Sequence, residues 1–355
     1  MTATLTVNKS IFKENIKQVV GDTPVMAVVK NNAYNFGLDF AIEVFLEVGI
    51  EMFSTTSLRE AIKIRKVAPK AMIFLMNPGI EFEILRKYDI QMTLPSLSFY
   101  HQYKDELSGI KVHLEYENLL HRSGFHTFEE MKQVIQENSQ LPKKQQLNIT
   151  GIWTHFGYAD EFDVSEYEIE KEAWLTGLNE MLTQYNFQYI HAQNSASFMR
   201  DDLFEHHTHV RLGIVLYGCR PYSSLPENAV KQSLTLSANV IQCRELKKGD
   251  SAGYSFAYTA KTDTTVAVVD IGYGDGVLRA RSQYDCLING KRYPIRALMM
   301  SHLLVEIDEA VKPQDNVILY GEDIRIDEYT FKGVGANSEQ ISALNHCSLE
   351  RKIIG

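Results

Sequence analysis

Polar side chains that can do chemistry follow several short apolar runs in the first 211 residues. Lys30 directly follows PVMAVV, His155 lies near the end of NITGIWTHF, and Arg211 ends HTHVR. A lysine in such a position either begins a solvated loop or is held in a dry pocket, where its pKa falls and it can form a Schiff base. Lys30 taken alone favours the solvated loop, because charged side chains are mostly exposed.

The other polar residues at these ends also allow more than one interpretation. His155 suits a core histidine, a metal ligand or a cofactor neighbour, and the sequence around it has no H-x-x-x-H or carboxylate motif that would favour metal. Arg211 is either a surface charge or a fixed cation that needs an anion or another acceptor. Gly213 lets backbone amides approach a phosphate, although one glycine is a weak signal.

Eight β-rich runs alternate with helical patterns, which is typical of βα units around a parallel sheet. The runs cover residues 24–29, 52–55, 72–76, 90–94, 112–117, 148–156, 189–193 and 207–211. Eight parallel strands close a barrel whose active site lies at the carboxyl ends of the strands. The polar residues at those ends are therefore expected to share one site: Lys30, Tyr34, Arg122, His155, Asn194, Ser195 and Arg211.

Two helices of the barrel have local signatures. The segment LDFAIEVFLEVG (38–49) spaces its apolar residues as on one face of a helix. Ser57-Leu-Arg-Glu60 predicts a capping box, in which the serine and the glutamate each bond an amide at the helix start.

The chain changes character beyond about residue 235. Alternating and β-branched runs are separated there by turns such as Asn289-Gly290, and the opening TATLTV is also β-like. The predicted fold is an α/β (β/α)8 barrel over residues 8–234, followed by a smaller, mainly β domain over residues 235–355 that residues 1–7 join.

Bulk composition restricts the function classes. The net charge of −9 gives no broad basic surface for nucleic acid or an anionic membrane, so small-molecule ligands are favoured. No apolar run approaches the roughly 18 residues that span a bilayer, and the opening lacks a basic, then apolar, leader, so we expect a cytoplasmic protein. The four cysteines are scattered without C-x-x-C pairs, which predicts free thiols and no metal site.

The segment AVVKNNAY (27–34) resembles the lysine signature of alanine racemases, which are fold-type III pyridoxal-phosphate enzymes. The resemblance covers nearly the whole chain and is closest to the divergent second type in that family. It continues in order through HLEYENLLHRSGF (113–125), WTHFGYADE (153–161), HAQNS (191–195), RLGIVLYG (211–218), GYSFAYTA (253–260) and IGYGDGVLR (271–279).

The resemblance implies a role for each matching residue. Lys30 carries pyridoxal 5′-phosphate and acts as one base, Tyr254 acts as the other, and Arg122 and Met300 contact the substrate. Further implied cofactor contacts are Tyr34, His155, Asn194, Ser195, Arg211, Gly213, Ile214 and Ser338. In this family the residues matching Tyr254 and Met300 reach the other subunit's site, which implies a head-to-tail homodimer with composite sites.

These residue types suit racemisation of an amino acid. Two acid/base groups must flank the substrate Cα, and the pKa of Lys30 or Tyr254 must be lowered for exchange at neutral pH. Arg211 keeps its proton, so as partner of the pyridine nitrogen it would leave a weaker electron sink and suppress side reactions.

Three positions depart from the family pattern and bear on specificity. Glu115 stands where many members carry a carbamylated lysine, and we interpret it as supplying that negative charge and orienting Arg122. Ser301 and Ser338 replace larger or charged residues, so a roomier pocket could admit serine or other amino acids. The implied activity is L- and D-alanine interconversion, which supplies D-alanine for peptidoglycan. The alternatives are a serine or broad-spectrum racemase, or a non-catalytic cofactor-binding protein, against which the domain bearing Tyr254 argues.

Overall fold

The computed structural model describes residues 3–355, which divide into two compact units. One unit spans Val20–Gly213, and the other joins the described N-terminal residues up to Val19 to Ile214–Gly355. The chain begins with strand β1 (Thr4–Asn8) and helix α1 (Lys9–Val20). The domain limits predicted from the sequence, 8–234 and 235–355, stay predictions.

The first unit contains an eight-stranded parallel sheet that is nearly closed into a barrel. Its strands are β2 (Val25–Val28), β3 (Met52–Thr55), β4 (Met72–Leu75), β5 (Gln91–Leu94), β6 (Lys111–Glu115), β7 (Asn148–Trp153), β8 (Tyr189–His191) and β9 (Val210–Leu212). They pair in the order β8-β7-β6-β5-β4-β3-β2-β9. Two backbone bonds, Thr208 N to Ile190 O at 2.9 Å and Arg211 N to Gln193 O at 2.9 Å, bridge the remaining gap. The predicted barrel is confirmed.

Helices follow most of these strands. They are α2 (Lys30–Tyr34), α3 (Leu38–Glu47), α4 (Leu58–Val67), α5 (Phe82–Lys87), α6 (Leu97–Tyr103), α7 (Phe128–Gln140), α8 (Glu166–Leu182) and α9 (Ser195–Asp201). Helix α3 buries Leu38, Ala41, Ile42, Val44 and Phe45, so the predicted apolar face is confirmed.

The predicted capping box is half right. Ser57 caps α4 by accepting a hydrogen bond from the Glu60 amide. The carboxylate of Glu60 does not return to Ser57; one oxygen accepts from the Asn32 amide at 2.8 Å and the other from the Thr55 hydroxyl. The predicted bond between the Glu60 carboxylate and the Ser57 amide is therefore wrong, because two donors outside the helix occupy that carboxylate.

The segment after Lys30 is a left-handed helical turn. Residues 31–35 all have positive φ, between 49° and 62°. Left-handed backbone costs about 1–2 kcal/mol for each L-residue, and asparagine tolerates it best. Three of the five are asparagine, and bonds from Ala33 N to Val29 O and from Asn32 N to Glu60 hold the turn. The strained turn fixes the direction in which the chain leaves Lys30.

Several predicted strands extend past the observed ends, and the one over residues 148–156 bears on the site. The run 148–156 was expected to be a single strand, but β7 ends at Trp153, where it pairs with His191. Beyond that pair the Thr154 hydroxyl bonds the Tyr116 carbonyl. Thr154 and His155 consequently lie in the loop that follows the strand.

The second unit is mainly β. Its strands β10 (Leu234–Leu246), β13 (Thr264–Val269), β14 (Asp285–Ile288), β15 (Lys291–Leu298), β16 (Leu303–Ile307), β17 (Asn316–Tyr320) and β18 (Glu350–Ile354) form one sheet with β1, in the order β13-β16-β15-β14-β17-β10-β1-β18. The short strands β11 (Ser251–Ala252) and β12 (Tyr258–Thr259) pair separately, and the helices are α10 (Ile326–Phe331) and α11 (Asn337–Ser342).

Two local predictions in this unit are confirmed. Asn289 and Gly290 have φ of 51° and 77° and form the two-residue turn between β14 and β15. The β-like opening pairs with β10 from Thr4 onward. Residues 1 and 2 of that prediction lie outside the described residues. No helix in the described part of the chain is long and apolar enough to cross a membrane.

Candidate active site

The barrel brings most of the predicted polar residues to the carboxyl ends of its strands. Lys30 lies two residues past β2, Arg122 lies in the loop after β6, and His155 lies two residues past β7. Asn194 and Ser195 begin α9, and Arg211 lies in β9. All six belong to the first unit, with Tyr34 and Gly213.

The amine of Lys30 is held in an environment that disfavours its charged form. Burial lowers the pKa of Lys30, and the positive charge of Arg122 lowers it further. An amine with a lowered pKa is a better nucleophile and a better proton acceptor near neutrality. This is the direction that the role predicted for Lys30 requires.

The guanidinium of Arg211 is buried and bonded to neutral acceptors. Nη1 donates to Nδ1 of His191 at 2.7 Å, and Nη2 donates to the carbonyls of Thr154 at 2.7 Å and Ala192 at 3.0 Å. The group also stacks 4.7 Å from the ring of Trp153. Burial, followed by the charge of Arg122, lowers the pKa of Arg211 to about 9. Arg211 therefore remains a cation at neutral pH.

A chain of buried imidazoles extends from Arg211 into the barrel. His191 Nε2 lies 2.8 Å from His113 Nδ1, and His113 Nε2 lies 3.0 Å from Gln91 Oε1. A guanidinium only donates, so His191 must accept at Nδ1 and donate from Nε2. Because His191 donates from Nε2, His113 must accept at Nδ1, and its Nε2 then donates to Gln91 Oε1. We call His191, His113 and Gln91 together the imidazole chain.

Packing holds the imidazole chain in place and keeps it neutral. The ring of His113 stacks between Phe74 at 4.4 Å and Tyr189 at 5.2 Å. A Cβ atom at Gly151 would lie 2.7 Å from that ring, so the position accepts only glycine without displacing His113. Burial lowers the pKa of His113 to about 3 and that of His191 well below its usual range.

His155 stands beside Arg211 without a short bond to it. Its Nδ1 is 3.4 Å from Arg211 Nη2, and its carbonyl accepts from the side-chain amide of Asn118. Burial, then the charges of Arg211, Arg122 and Lys30, lower the pKa of His155 well below its usual value. His155 is consequently neutral.

Tyr34, Ser195 and Gly213 form a small polar cradle. The Ser195 hydroxyl accepts from the Gly213 amide at 3.2 Å, and a Cβ at Gly213 would lie 2.5 Å from the Tyr34 hydroxyl oxygen. Asn194 supports the cradle by accepting from the Ser197 amide at 3.0 Å and donating to the Phe156 carbonyl at 2.9 Å. Hydroxyls and a backbone amide at a glycine suit a phosphate group.

Glu115 is a buried carboxylate close to the loop that carries Arg122. Its Oε2 accepts from the Thr93 hydroxyl at 3.1 Å and the Ser123 hydroxyl at 2.6 Å. Burial raises the pKa of Glu115, although both bonds and the charge of Arg122 oppose the shift. Arg122 itself is exposed.

The remaining predicted residues belong to the second unit. Tyr254 is 72% exposed, in a 3-10 turn (Tyr254–Phe256) whose Ser255 and Phe256 have positive φ. Met300 is 58% exposed, and its carbonyl accepts from the Gly274 amide at 2.8 Å. Ile214 and Ser338 are half-buried.

Sequence patterns indicated no role for His113, His191 or Gln91. Their positions could have indicated one, because each lies in a strand of the barrel, and barrel strands point alternate residues inward. Strand periodicity does not show which inward residues bond each other, so the imidazole chain was missed.

Five histidines that the fold keeps neutral predict acid sensitivity. The folded-state pKa is lowered for His113, His155, His191, His207 and His209 relative to about 6.5 in the unfolded chain. Unfolding therefore takes up protons, and stability present above pH 6.5 is lost as the pH falls toward 4. Each histidine contributes a slope of about 1.4 kcal/mol per pH unit.

The measurement is the melting temperature of His209→Gln, against that of the parent, from pH 7 to pH 5. We expect the variant to lose less stability on acidification, because burial lowers the pKa of His209 to about 4. His206→Gln, at an exposed position, is the control and should follow the parent. Equal slopes in the parent and His209→Gln would contradict the prediction.

Comparisons with known proteins agree along the whole chain. The sequence model of the alanine racemase N-terminal domain matches residues 7–221, and that of the C-terminal domain matches residues 233–354. Alanine racemase 2 of Staphylococcus aureus (strain COL) is 59% identical over 358 residues, which cover 100% of this chain and 99% of that protein.

Solved structures show the same fold. An alanine racemase from E. faecalis superposes with a TM-score of 0.88 at 26% identity, covering 99% of this chain and 98% of that one. The alanine racemase from Bartonella henselae with covalently bound pyridoxal phosphate superposes with a TM-score of 0.87 at 24% identity, over 100% of both chains. Because both domain models match and a relative of 59% identity spans the entire sequence, the chain belongs to the alanine racemase family.

Proposed function

We propose that this protein is a pyridoxal-phosphate-dependent racemase that interconverts L- and D-alanine. The observation that carries the proposal is a set of three basic side chains at the carboxyl ends of the barrel strands, in which the charge of Arg122 acts on both Lys30 and Arg211. Arg211 is bonded there to neutral acceptors, and Glu115 is the carboxylate whose charge acts on it. Such a site favours a ligand that carries phosphate and carboxylate groups.

The residues of the first unit fit the cofactor. Lys30 would hold it covalently, Arg211 would face its pyridine nitrogen with His155 alongside, and the cradle of Tyr34, Ser195 and Gly213 suits its phosphate. Asn194 fixes the start of α9, and we assign Ile214 and Ser338 of the second unit to the phosphate as well. When bound, the cofactor draws electrons from the substrate Cα and makes its proton acidic.

Two bases would then exchange that proton. Lys30 of one protomer serves one face of Cα and Tyr254 of the partner protomer serves the other, so removal and delivery occur on opposite sides. The lowered pKa of Lys30 favours the neutral amine that accepts the proton. Arg122 binds the substrate carboxylate through its planar guanidinium.

Arg211 restricts the reaction to proton exchange. It offers hydrogen bonds but retains its own proton, because its pKa of about 9 lies above neutrality. The imidazole chain behind it ends in an acceptor, the Gln91 carbonyl oxygen, which also accepts from Thr150 at 2.7 Å. No member of the chain is therefore poised to pass a proton toward the site.

A second copy of the chain is the proposed partner. Tyr254, Phe256 and Met300 are large side chains that are 72%, 80% and 58% exposed, which supports their use in a composite site with Met300 contacting the substrate. We place the head-to-tail homodimer in the cytoplasm, where D-alanine would supply peptidoglycan synthesis.

The activity is tested by solvent deuterium incorporation at Cα with pyridoxal phosphate added. Proton NMR of L-alanine and L-serine, with chiral analysis of the products, distinguishes the substrates; Lys30→Ala is the inactive control. Deuterated D-alanine supports the proposal. Faster exchange of serine would favour the serine or broad-spectrum alternative, to which the small side chains of Ser301 and Ser338 contribute. Bound cofactor without exchange of either amino acid would contradict racemase activity.

Composite sites predict complementation between two inactive variants. Co-expressed Lys30→Ala and Tyr254→Phe chains form mixed dimers in which one site has both bases and the other has neither. Random pairing makes half of the dimers mixed, so activity should recover to about a quarter of the parent. Lys30→Ala chains alone stay inactive. If the co-expressed sample is no more active than the average of the two variants measured alone, a shared site is excluded.

The carboxylate of Glu115 is predicted to support substrate binding. In Glu115→Gln the amide oxygen still accepts from Thr93 and Ser123, but the negative charge beside Arg122 is lost. We expect the Michaelis constant for alanine to rise about tenfold, equivalent to about 1.4 kcal/mol, with a smaller change in kcat. Glu129→Gln, at an exposed position, is the control. An unchanged Michaelis constant in Glu115→Gln would refute the assigned role.

A further inference from the structure

Glu170 is a buried carboxylate on α8 that has no part in the mechanism above. The residue is 1% exposed. Oε2 accepts from the Gly157 amide at 3.0 Å, and the amides of Gly157 and Tyr158 favour the charged form of the carboxylate. Oε1 has no hydrogen-bond partner in the described part of the chain. A carboxylate buried with one unpaired oxygen is costly, so its position calls for an explanation.

The turn that Glu170 holds continues directly from the loop after β7. In that loop the Thr154 carbonyl accepts from Arg211 at 2.7 Å and the Phe156 carbonyl accepts from Asn194 at 2.9 Å. Gly157 and Tyr158 come next. Glu170 thus fixes the far end of the segment that presents Thr154 and His155 to Arg211.

The same turn packs against the loop that carries Arg122. A Cβ at Gly157 would lie 3.1 Å from Leu120 Cδ1 and 3.5 Å from Glu170 Oε1. Asn118, on the Arg122 loop, donates to the His155 carbonyl. A shift of the Gly157 turn would therefore be felt by both Arg211 and the Arg122 loop.

Charges on the surrounding elements do not compensate Glu170. The titratable groups there include His155, Tyr158, Asp160 and Glu161 on the loop after β7, Glu117, His121 and Arg122 on the adjacent loop, and Glu166, Tyr167, Glu168 and Lys171 on α8. They also include Arg200 on α9, which donates to the Ala159 and Glu161 carbonyls and pairs with Glu168. Several bond elsewhere: Glu117 pairs with His121 and His126, Lys171 pairs with Glu168 and Asp201, and Tyr167 bonds Ser197 and Asp201. The two amides are the groups that favour ionised Glu170.

Ionisation of Glu170 works against global stability. Burial raises its pKa to about 7, although both amide bonds oppose the shift. Because the folded pKa lies above the unfolded value near 4.5, the stability present at acid pH is lost as the pH rises through about 7. A neutral glutamine would avoid this loss, so a role limited to stability does not account for the carboxylate.

We propose that Glu170 is a positioning residue whose ionised carboxylate holds the Gly157–Tyr158 turn and, through it, Thr154 and His155 against Arg211. Hydrogen bonds to a charged acceptor are roughly twice as strong as neutral ones. Protonation therefore loosens the turn and lowers turnover on the acid side. The inference rests on the racemase function proposed above.

Amide exchange in the holoenzyme tests the structural half. Hydrogen–deuterium exchange of residues 155–160, corrected for the intrinsic effect of pH, should show protection that falls from about pH 8 to about pH 6 as Glu170 protonates. In Glu170→Gln the protection should be weaker at the higher pH and independent of pH. Glu172→Gln, at an exposed position on the same helix, should match the parent.

The pH profile of kcat tests the functional half. The ionised fraction of a group with pKa about 7 changes about tenfold between pH 8 and pH 6, so parent turnover should fall by a similar factor. Glu170→Gln should flatten that limb while melting at a higher temperature at pH 8. The proposal would be overturned if Glu170→Gln is active and shows the same pH profile of kcat and the same amide exchange as the parent.

The two proposals fail separately. pH-dependent protection that is lost in Glu170→Gln, in a protein that exchanges no amino acid, would keep the positioning role and remove the racemase function. Full racemisation by the parent and by Glu170→Gln, with identical pH profiles, would keep the racemase function and remove the positioning role. Glu170→Ala, which lacks any acceptor, should expose the turn at every pH if the chain still binds cofactor.

Discussion

The barrel end is organised around one buried charge, the guanidinium of Arg211. Burying a cation is costly unless its donors are satisfied, and here the acceptors are His191 Nδ1 and the carbonyls of Thr154 and Ala192. Thr154 follows strand β7, whereas His191 ends strand β8 and Ala192 follows it. The charge therefore ties three neighbouring strands together where the sheet is least complete, and neutral partners leave its field available to a ligand.

That field shapes the groups around it. Burial, followed by the charge of Arg122, lowers the pKa of both Lys30 and Arg211, and burial, followed by the charge of Arg211, keeps His155 and His191 neutral. Strain contributes as well, since five left-handed residues follow Lys30 and are held partly by Glu60. Strain of this kind persists only where surrounding bonds enforce it. The position of Lys30 is thus set by local backbone geometry, and its pKa by burial and charge.

Sequence periodicity predicted the barrel, the β-rich second unit and the residues at the strand ends, because parallel strands place their carboxyl ends together whatever their order in the chain. It did not predict the imidazole chain, since His113 and His191 are 78 residues apart and their bond depends on side-chain direction. Nor did it show that Glu60 serves Asn32 in place of its own helix. Local patterns identify helices and strands; competition among nearby donors for one acceptor appears only in three dimensions.

The pKa shifts at and beside the site share one cause, because burial disfavours the charged form of each group. The buried histidines are neutral well below pH 6.5, Glu170 gains its charge near pH 7, and the amine of Lys30 becomes neutral below its usual pKa. Raising the pH through neutrality consequently charges the Glu170 carboxylate, while the imidazole chain stays unchanged. Ionisation of Glu170 by itself lowers stability, but the histidines kept neutral by the fold favour the higher pH, so the cost of the charged carboxylate is local to Glu170.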